Sequence, residues 1–142
     1  MINISELRVR YAETDQMGYV YYANYLVWME MGRTQLLRDM GLSYKELESR
    51  GVMLPVAKAF AKYVAPAYYD DLVWVHSTIT RFSGPRVRID YRMTGADNKI
   101  LCLGFTEHAF ISSETRKVIK APAAVAEKIR ICDRVEEYLT QP

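Results

Sequence analysis

Asp15 is the residue whose surroundings in the sequence are best suited to catalysis. It lies in a polar turn, residues 13–18, and an apolar segment that is predicted to form a helix begins seven residues later, at about Tyr22. The first amides of a helix lack intrahelical acceptors and carry the positive end of the helix dipole. A carboxylate beside them could attack an electrophilic carbonyl, or activate water toward it, while the amides hold the carbonyl oxygen. The pattern alone leaves a second interpretation open, in which Asp15 only starts a turn that ends at Gly18.

The histidines and cysteines lack the spacing of a metal or redox site. His76 and His108 are the only histidines. Neither has a Cys or a carboxylate at metal-ligand spacing, so we expect histidines of the core or the surface and no bound metal. Cys102 and Cys132 form no CxxC pattern, which predicts two free thiols in a reducing compartment. The sequence also contains no GxSxG, GxGxxG or P-loop motif, which argues against serine hydrolases and nucleotide-binding enzymes.

Arginines follow one face of the predicted strand 86–93. Side chains alternate between the two faces of a strand. The side expected to face the core is apolar: Val87, Ile89, Tyr91 and Met93. The side expected to face solvent is polar: Arg86, Arg88, Asp90 and Arg92. A solvated face explains this row, and a contact with a phosphate group is the alternative.

Length, composition and charge limit the class of protein. The chain has 142 residues, half of them hydrophobic and a quarter charged, which predicts one globular domain over residues 1–142. Nineteen Lys and Arg against 17 Asp and Glu give a net charge of +2, too balanced for nucleic acid or an anionic membrane as the main partner. No segment has the composition of a membrane span, and Glu6, Arg8 and Arg10 occupy the place of a signal peptide's apolar core. We therefore expect a cytoplasmic protein.

Hydrophobic periodicity predicts the elements that must position Asp15. Strands are predicted at residues 4–11, 52–64 (with Pro55 at an edge or bulge), 72–82, 86–93, 99–111 and 117–120. Helices are predicted at residues 22–40, from a capping box at 43–46 to Gly51, and from Pro122 to about Cys132. Tight turns join most strands, so neighbours in the sheet should be antiparallel. This order predicts an α+β fold, with an antiparallel sheet of about five to six strands wrapped around one long central helix.

The segment around Asp15 also resembles a family signature. Residues 10–30 read RYAETDQMGYVYYANYLVWME, with a Gly three residues after the Asp and a Val-Tyr-Tyr-x-Asn-Tyr run before the apolar helix. This segment resembles the signature of hot-dog-fold acyl-CoA thioesterases of the 4-hydroxybenzoyl-CoA thioesterase type, especially the branch of Tol–Pal-associated thioesterases. The resemblance covers most of the chain in the right order and continues through Pro55-Val56, Tyr63-x-x-Pro66, Tyr69-Asp70-Asp71 and Thr106-Glu107-His108.

The resemblance implies roles for individual residues. Asp15 matches the family's catalytic carboxylate, which acts as nucleophile or general base on the thioester carbonyl. Tyr22 matches the position at the helix N-terminus whose backbone N–H polarises that carbonyl, and relatives of the branch carry His there. Tyr11 matches a tyrosine that assists at the site, and Gly18 matches the glycine of the substrate-binding turn. A thioester carbonyl is already activated, so no cofactor is expected.

The resemblance also implies partners. The expected substrate is an acyl-CoA, with an acyl-carrier-protein thioester as the alternative. Its phosphates need cationic groups, for which Arg86 and Arg88 are the candidates, together with Arg92 on the same predicted face. Two chains are expected to join their sheets with the sites at the dimer seam, giving a homodimer or a tetramer of two dimers.

Two further classes of protein fit parts of the sequence. A non-catalytic hot-dog module that only binds acyl-CoA would gain nothing from an unpaired carboxylate near an apolar acyl chain, so Asp15 argues against it. A hot-dog dehydratase or hydratase is expected to use a His with an acidic partner at the helix, and residues 1–75 contain no His. The sequence therefore favours a thioester hydrolase.

Overall fold

One antiparallel sheet dominates the computed structural model, which describes residues 1–132. The strands are β1 (Asn3–Arg8), β2 (Val52–Met53), β3 (Val56–Tyr63), β4 (Leu72–Ser83), β5 (Arg86–Thr94), β6 (Ile100–Ala109) and β7 (Ile111–Ser112). The helices are α1 (Ala23–Asp39), α2 (Tyr44–Ser49) and α3 (Ala123–Ala126). Five strands form the sheet in the order β1-β4-β5-β6-β3, whereas β2 pairs only with β7. The predicted α+β fold, with a sheet packed on one long helix, is confirmed.

α1 packs on the sheet through one face. The helix contacts β4, β1 and β3, and its buried side chains are Tyr25, Trp28, Met29 and Leu36. At Gly32 the helix backbone lies so close to Ser77 and Val75 of β4 that a Cβ atom would overlap them. This close approach fixes the depth of α1 on the sheet and therefore the position of its N-terminus.

β5 follows the predicted alternation on its core side only. The side chains of Val87, Ile89, Tyr91 and Met93 are buried, as predicted. The prediction that Asp90 and Arg92 face solvent is wrong, because both are buried. Asp90 accepts hydrogen bonds from the hydroxyl of Thr80 and from the Arg88 guanidinium. These partners cover its carboxylate, and the periodicity of one strand does not reveal them.

Several predicted boundaries move. The strand predicted at 52–64 divides into β2 and β3, because Leu54 and Pro55 interrupt it and proline lacks the N–H that a ladder needs. At 117–120 the chain forms only an isolated bridge, between Val118 and Ile111. The helix predicted to reach about Cys132 ends at Ala126. The predicted domain includes residues 133–142, which lie outside the described residues.

Two apolar surfaces remain exposed. Part of the outer face of α1 is exposed: Leu26, Val27 and Met31. β3 lies at the edge of the sheet and is exposed along nearly its whole length, with three apolar side chains about half exposed: Val56, Phe60 and Tyr63. Within residues 1–132, no helix is long and apolar enough to cross a membrane.

Candidate active site

Backbone hydrogen bonds hold the turn that carries Asp15. The amide of Asp15 donates to the carbonyl oxygen of Tyr19 at 3.0 Å, and the amide of Gly18 donates to the carbonyl oxygen of Asp15 at 3.0 Å. The amide of Met17 donates to Asp15 Oδ1 at 2.9 Å. The turn therefore fixes one carboxylate oxygen, while Oδ2 has no hydrogen-bond donor among residues 1–132.

α1 begins beside this turn with two amides that have no protein acceptor. The amides of Asn24 and Tyr25 donate to the carbonyl oxygens of Tyr21 and Tyr22. Across the described part of the chain, no carbonyl or side chain accepts from the amides of Tyr22 and Ala23. These two N–H groups lie at the positive end of the helix dipole, where an anion or a developing oxyanion is stabilised.

Asp15 and Tyr22 line the same cavity, which has a volume of about 490 Å³. Its walls are mainly aromatic and aliphatic and include Tyr19, Tyr21, Tyr25, Tyr63 and Val64. Asp15 is the one carboxylate among the described residues that line it. An apolar cavity with a few polar groups at one point is typical of a site that binds and orients a small molecule.

Three tyrosines of this cavity have raised pKa values. Burial raises the pKa of Tyr25 to about 12 and also raises the pKa of Tyr63. A hydrogen bond with the Tyr22 side chain raises the pKa of Tyr21. The carboxylate of Asp15 is therefore the candidate general base or nucleophile of the cavity.

Tyr11 and Gly18 are close to Asp15 in sequence but do not line its cavity. The side chain of Tyr11 is 78% exposed and packs edge-on against Tyr69, with 5.8 Å between the ring centroids. Gly18 has φ +82°, a left-handed conformation that favours glycine, so the turn itself accounts for this residue. The catalytic assistance of Tyr11 and the substrate contact of Gly18 stay predictions.

The side chain of Arg88 is 25% exposed, and its guanidinium contacts three protein side chains. It donates to Asp90 at 2.9 and 3.0 Å, and Glu107 lies 3.8 Å away. The guanidinium also lies over the ring of Phe105, 3.7 Å from the centroid. The hydrogen bond to Asp90 is the main cause of a raised Arg88 pKa. These contacts occupy Arg88, and Arg92 is buried further along β5.

Arg86 lies in a cationic groove away from the Asp15 cavity. The groove has a volume of about 580 Å³ and is also lined by the cationic residues Lys58, Arg81 and Arg88 and by the carboxylate of Glu107. Lys58 lies near the start of β3, whereas Tyr63, which lines the Asp15 cavity, ends that strand. Five residues of a strand span about 17 Å. The groove and the cavity of one chain are therefore separated along β3.

Glu13 has a role in this region that its place in the sequence does not reveal. It belongs to the polar turn 13–18, but only 6% of it is exposed, and the Trp28 indole donates a hydrogen bond to its carboxylate. The Arg10 amide donates to the Glu13 carboxylate at the short helical turn Tyr11–Glu13, but the sequence lacks the Ser or Thr that would mark a capping box at position 10. The contact with Trp28 has no signal in the local sequence.

His108 is a core histidine, one of the two placements that the sequence left open. Its Nε2 is 2.7 Å from Thr106 Oγ1, and its Nδ1 is 3.3 Å from the carbonyl oxygen of Leu54. Burial, followed by the positive charge of Arg33, lowers the pKa of His108 to about 4. No group of three or more His, Cys, Asp or Glu side chains in residues 1–132 is arranged to hold a metal ion.

Comparison with known proteins identifies a family. The model of the thioesterase-like superfamily matches residues 9–129. YneP of Bacillus subtilis (strain 168), named as a candidate acyl-CoA thioesterase, is 38% identical over 119 residues, which cover 84% of this chain and 86% of YneP. The acyl-CoA thioester hydrolase YbgC of Escherichia coli O6:H1 is 35% identical over 95 residues, which cover 67% of this chain and 71% of YbgC.

A solved structure supports the same assignment. Slr0204, a 1,4-dihydroxy-2-naphthoyl-CoA thioesterase from Synechocystis, superposes with a TM-score of 0.82 at 29% identity. The match covers 95% of this chain and 98% of Slr0204. The chain therefore belongs to the thioesterase-like superfamily, which confirms the predicted hot-dog fold and the predicted class of enzyme, a thioester hydrolase.

Proposed function

We propose that this protein hydrolyses acyl-CoA thioesters to a free acid and CoA, with Asp15 as nucleophile or general base. The observation that carries the proposal is that the Asp15 carboxylate lines one apolar cavity with Tyr22, where the free amides of α1 begin. A thioester carbonyl is already electrophilic, so a carboxylate and oxyanion donors supply what hydrolysis requires. Relatives named for acyl-CoA support this substrate class, and an acyl-carrier-protein thioester is the second candidate.

Both roles of Asp15 give the same products. As a general base, Asp15 takes a proton from water, and the water oxygen attacks the carbonyl carbon. The amides of Tyr22 and Ala23 donate to the oxyanion, the C–S bond breaks, and the proton passes to the CoA thiolate. As a nucleophile, Asp15 forms a mixed anhydride with the acyl group and expels the thiolate, and water then hydrolyses the anhydride. Heavy oxygen from labelled water enters Asp15 only through the anhydride.

The cationic groove at Arg86 is the proposed binding site for the phosphates of CoA. Arg81 and Lys58 also line this groove, and cationic side chains form strong, charge-assisted hydrogen bonds with phosphate. Arg88 lines the same groove, but Asp90 accepts hydrogen bonds from its guanidinium, so the proposed phosphate contacts are Arg86, Arg81 and Lys58, and a contact with Arg88 stays a prediction.

If two copies of the chain paired along β3, the cationic groove of each copy would lie next to the Asp15 cavity of the other. One side of β3 is unpaired, and exposed apolar edge strands are templates for pairing. Around a two-fold axis, antiparallel pairing places the Lys58 end of one strand beside the Tyr63 end of the other. We therefore propose a homodimer with its sites at the seam, alone or as half of a tetramer.

Release of the CoA thiol from a panel of aliphatic and aromatic acyl-CoAs tests the proposed reaction. Equal amounts of free acid and thiol are expected from at least one of them. Tight binding without release from any of them would contradict hydrolysis and make the protein an acyl-CoA-binding module.

We assign the reaction to the cytoplasm, because Cys102 and Cys132 are free thiols, as in a reducing compartment.

A further inference from the structure

The carboxylate of Glu13 is buried where the Asp15 turn meets α1. Its Oε2 accepts a hydrogen bond of 2.8 Å from the indole Nε1 of Trp28, which is itself 1% exposed. Its Oε1 accepts a hydrogen bond of 2.8 Å from the amide of Arg10. Burial of a charged group is costly unless donors satisfy it, and both oxygens of Glu13 have a donor. The carboxylate therefore joins the turn to the second turn of α1.

The backbone of Glu13 is fixed to the same end of the helix. Its carbonyl oxygen accepts from the amide of Tyr21 and from Asn24 Nδ2, both at 2.9 Å. Tyr21 immediately precedes Tyr22, where the free amides begin, and Asn24 lies in the first turn of α1. Asp15 follows Glu13 by two residues. The distance between the Asp15 carboxylate and the free amides therefore depends on the bonds that Glu13 makes.

We propose that Glu13 is a positioning residue for hydrolysis, which holds the Asp15 carboxylate against the free amides of α1 through its bond to Trp28. The inference rests on the proposed function, in which these groups act on one thioester. Glu13 does not line the cavity, so its effect passes through Asp15. A displacement of about 1 Å in a positioned group costs on the order of 100-fold in rate. The bond is therefore expected to affect kcat more than KM.

Glu13→Gln is the conservative test, because glutamine keeps the shape and removes one acceptor. The N–H donors of Trp28 and Arg10 each meet one oxygen of Glu13. Glutamine offers one oxygen and one NH₂ group, so one of the two contacts becomes donor against donor. We expect kcat to fall about tenfold with KM within about twofold. Trp28→Phe removes the indole donor of the bond to Glu13. It is the replacement test if Glu13→Gln does not fold.

Two readouts separate positioning from a general loss of structure. The indole N–H signal of Trp28 in an NMR spectrum should shift in Glu13→Gln, while Trp74, the second of the two tryptophans, gives the reference signal. In an Asp15→Asn background, Glu13→Gln should lower kcat no further, because its effect passes through the Asp15 carboxylate.

Asp39→Asn is the matched control. Asp39 accepts side-chain hydrogen bonds from Asn3 and Gln35 at the other end of α1, so it undergoes the same exchange of acid for amide far from the site. Its kcat should stay at the wild-type value.

Wild-type kcat in Glu13→Gln together with a shifted Trp28 signal would overturn the inference. If the signal does not shift, the glutamine oxygen still faces Trp28, and Trp28→Phe, which removes the bond itself, decides. A wild-type kcat in Trp28→Phe would overturn the inference, and so would an equal further loss of kcat for Glu13→Gln in the Asp15→Asn background. Failure of the proposed function has a different signature, in which Asp15→Asn hydrolyses thioesters at the wild-type rate.

Discussion

The hydroxyl of Tyr63 donates a hydrogen bond to the backbone carbonyl oxygen of Tyr22, with 3.2 Å between the two oxygens. Tyr63 is the last residue of the exposed edge strand β3, and Tyr22 directly precedes α1. The bond therefore joins the free edge of the sheet to the end of α1 at Tyr22, which lines the Asp15 cavity. A chain that paired with β3 would lie directly beside the candidate active site.

Asp15→Asn is expected to lower kcat by on the order of 100-fold or more, with little change in substrate binding. The amide has nearly the same shape as the carboxylate and keeps an oxygen to accept from the Met17 amide. It has no charge with which to attack a carbonyl or accept a proton from water. Thiol-release kinetics on one good substrate, with a thermal melt to verify the fold, measure this effect.

Tyr22→Phe is the matched variant on the other side of the cavity. It removes a hydroxyl and keeps the backbone N–H that is proposed to hold the oxyanion. The loss of kcat should be much smaller than in Asp15→Asn. The opposite ranking of the two variants would assign the chemistry to the Tyr22 side chain.

Arg86→Glu should raise the KM for acyl-CoA while kcat changes little. The reversed charge would repel the phosphates, and the effect should weaken as salt screens it. Lys45→Glu reverses an exposed charge on α2 and is the control for net charge. Equal KM values for Arg86→Glu and wild type at low salt would remove the groove from the proposed CoA site.

Sedimentation velocity should show particles of two or four times the chain mass of 16.4 kDa. Val56→Lys puts a charge at the exposed start of β3, where lysine discourages strand pairing. This variant should dissociate on dilution and lose activity in parallel, and concentrating it should restore both. A fully active wild-type monomer at assay concentration would contradict a site formed at the seam.

The sequence predicted the parts of this site that depend on local pattern. The Asp15 turn, the start of α1 near Tyr22 and the inward side of β5 follow from spacing and alternation within one segment. The strand predicted at 52–64 was longer than β3, because the pattern of apolar residues continues across Pro55 whereas the ladder does not.

Contacts between distant segments were beyond such prediction. The guanidinium of Arg88 is occupied by Asp90, which accepts its hydrogen bonds, and by Phe105 on the neighbouring strand β6. Thr80 on β4 donates to Asp90 from the other side. Glu13 is buried because Trp28, fifteen residues later, is directed toward it by α1. The sequence contains each of these residues but not their distances, which arise only when helix and sheet pack together.

His108 should make the protein less stable as the pH falls from 6.5 toward 4. Burial lowers its pKa from an ordinary value of 6.5 to about 4, so between these values the unfolded chain binds more protons than the folded chain. The free energy of unfolding therefore rises with pH across this window, by about 1.4 kcal/mol per unit for a full proton, and by on the order of 3 kcal/mol in total. Above pH 6.5 this contribution is fully present.

The buried hydrogen bonds give the physical reason for this pH dependence. A neutral ring donates from Nδ1 to the carbonyl oxygen of Leu54 and accepts at Nε2 from Thr106 Oγ1, which in turn lies 2.8 Å from the Tyr91 hydroxyl. A second proton on the ring would destroy the acceptor at Nε2 and bring a positive charge near Arg33. The glutamine of His108→Gln cannot titrate. The free energies of unfolding of wild type and variant, measured with urea and plotted against pH, should therefore converge as the pH falls from 6.5 to 4. Curves that stay parallel across this range would show that His108 is not the titrating group.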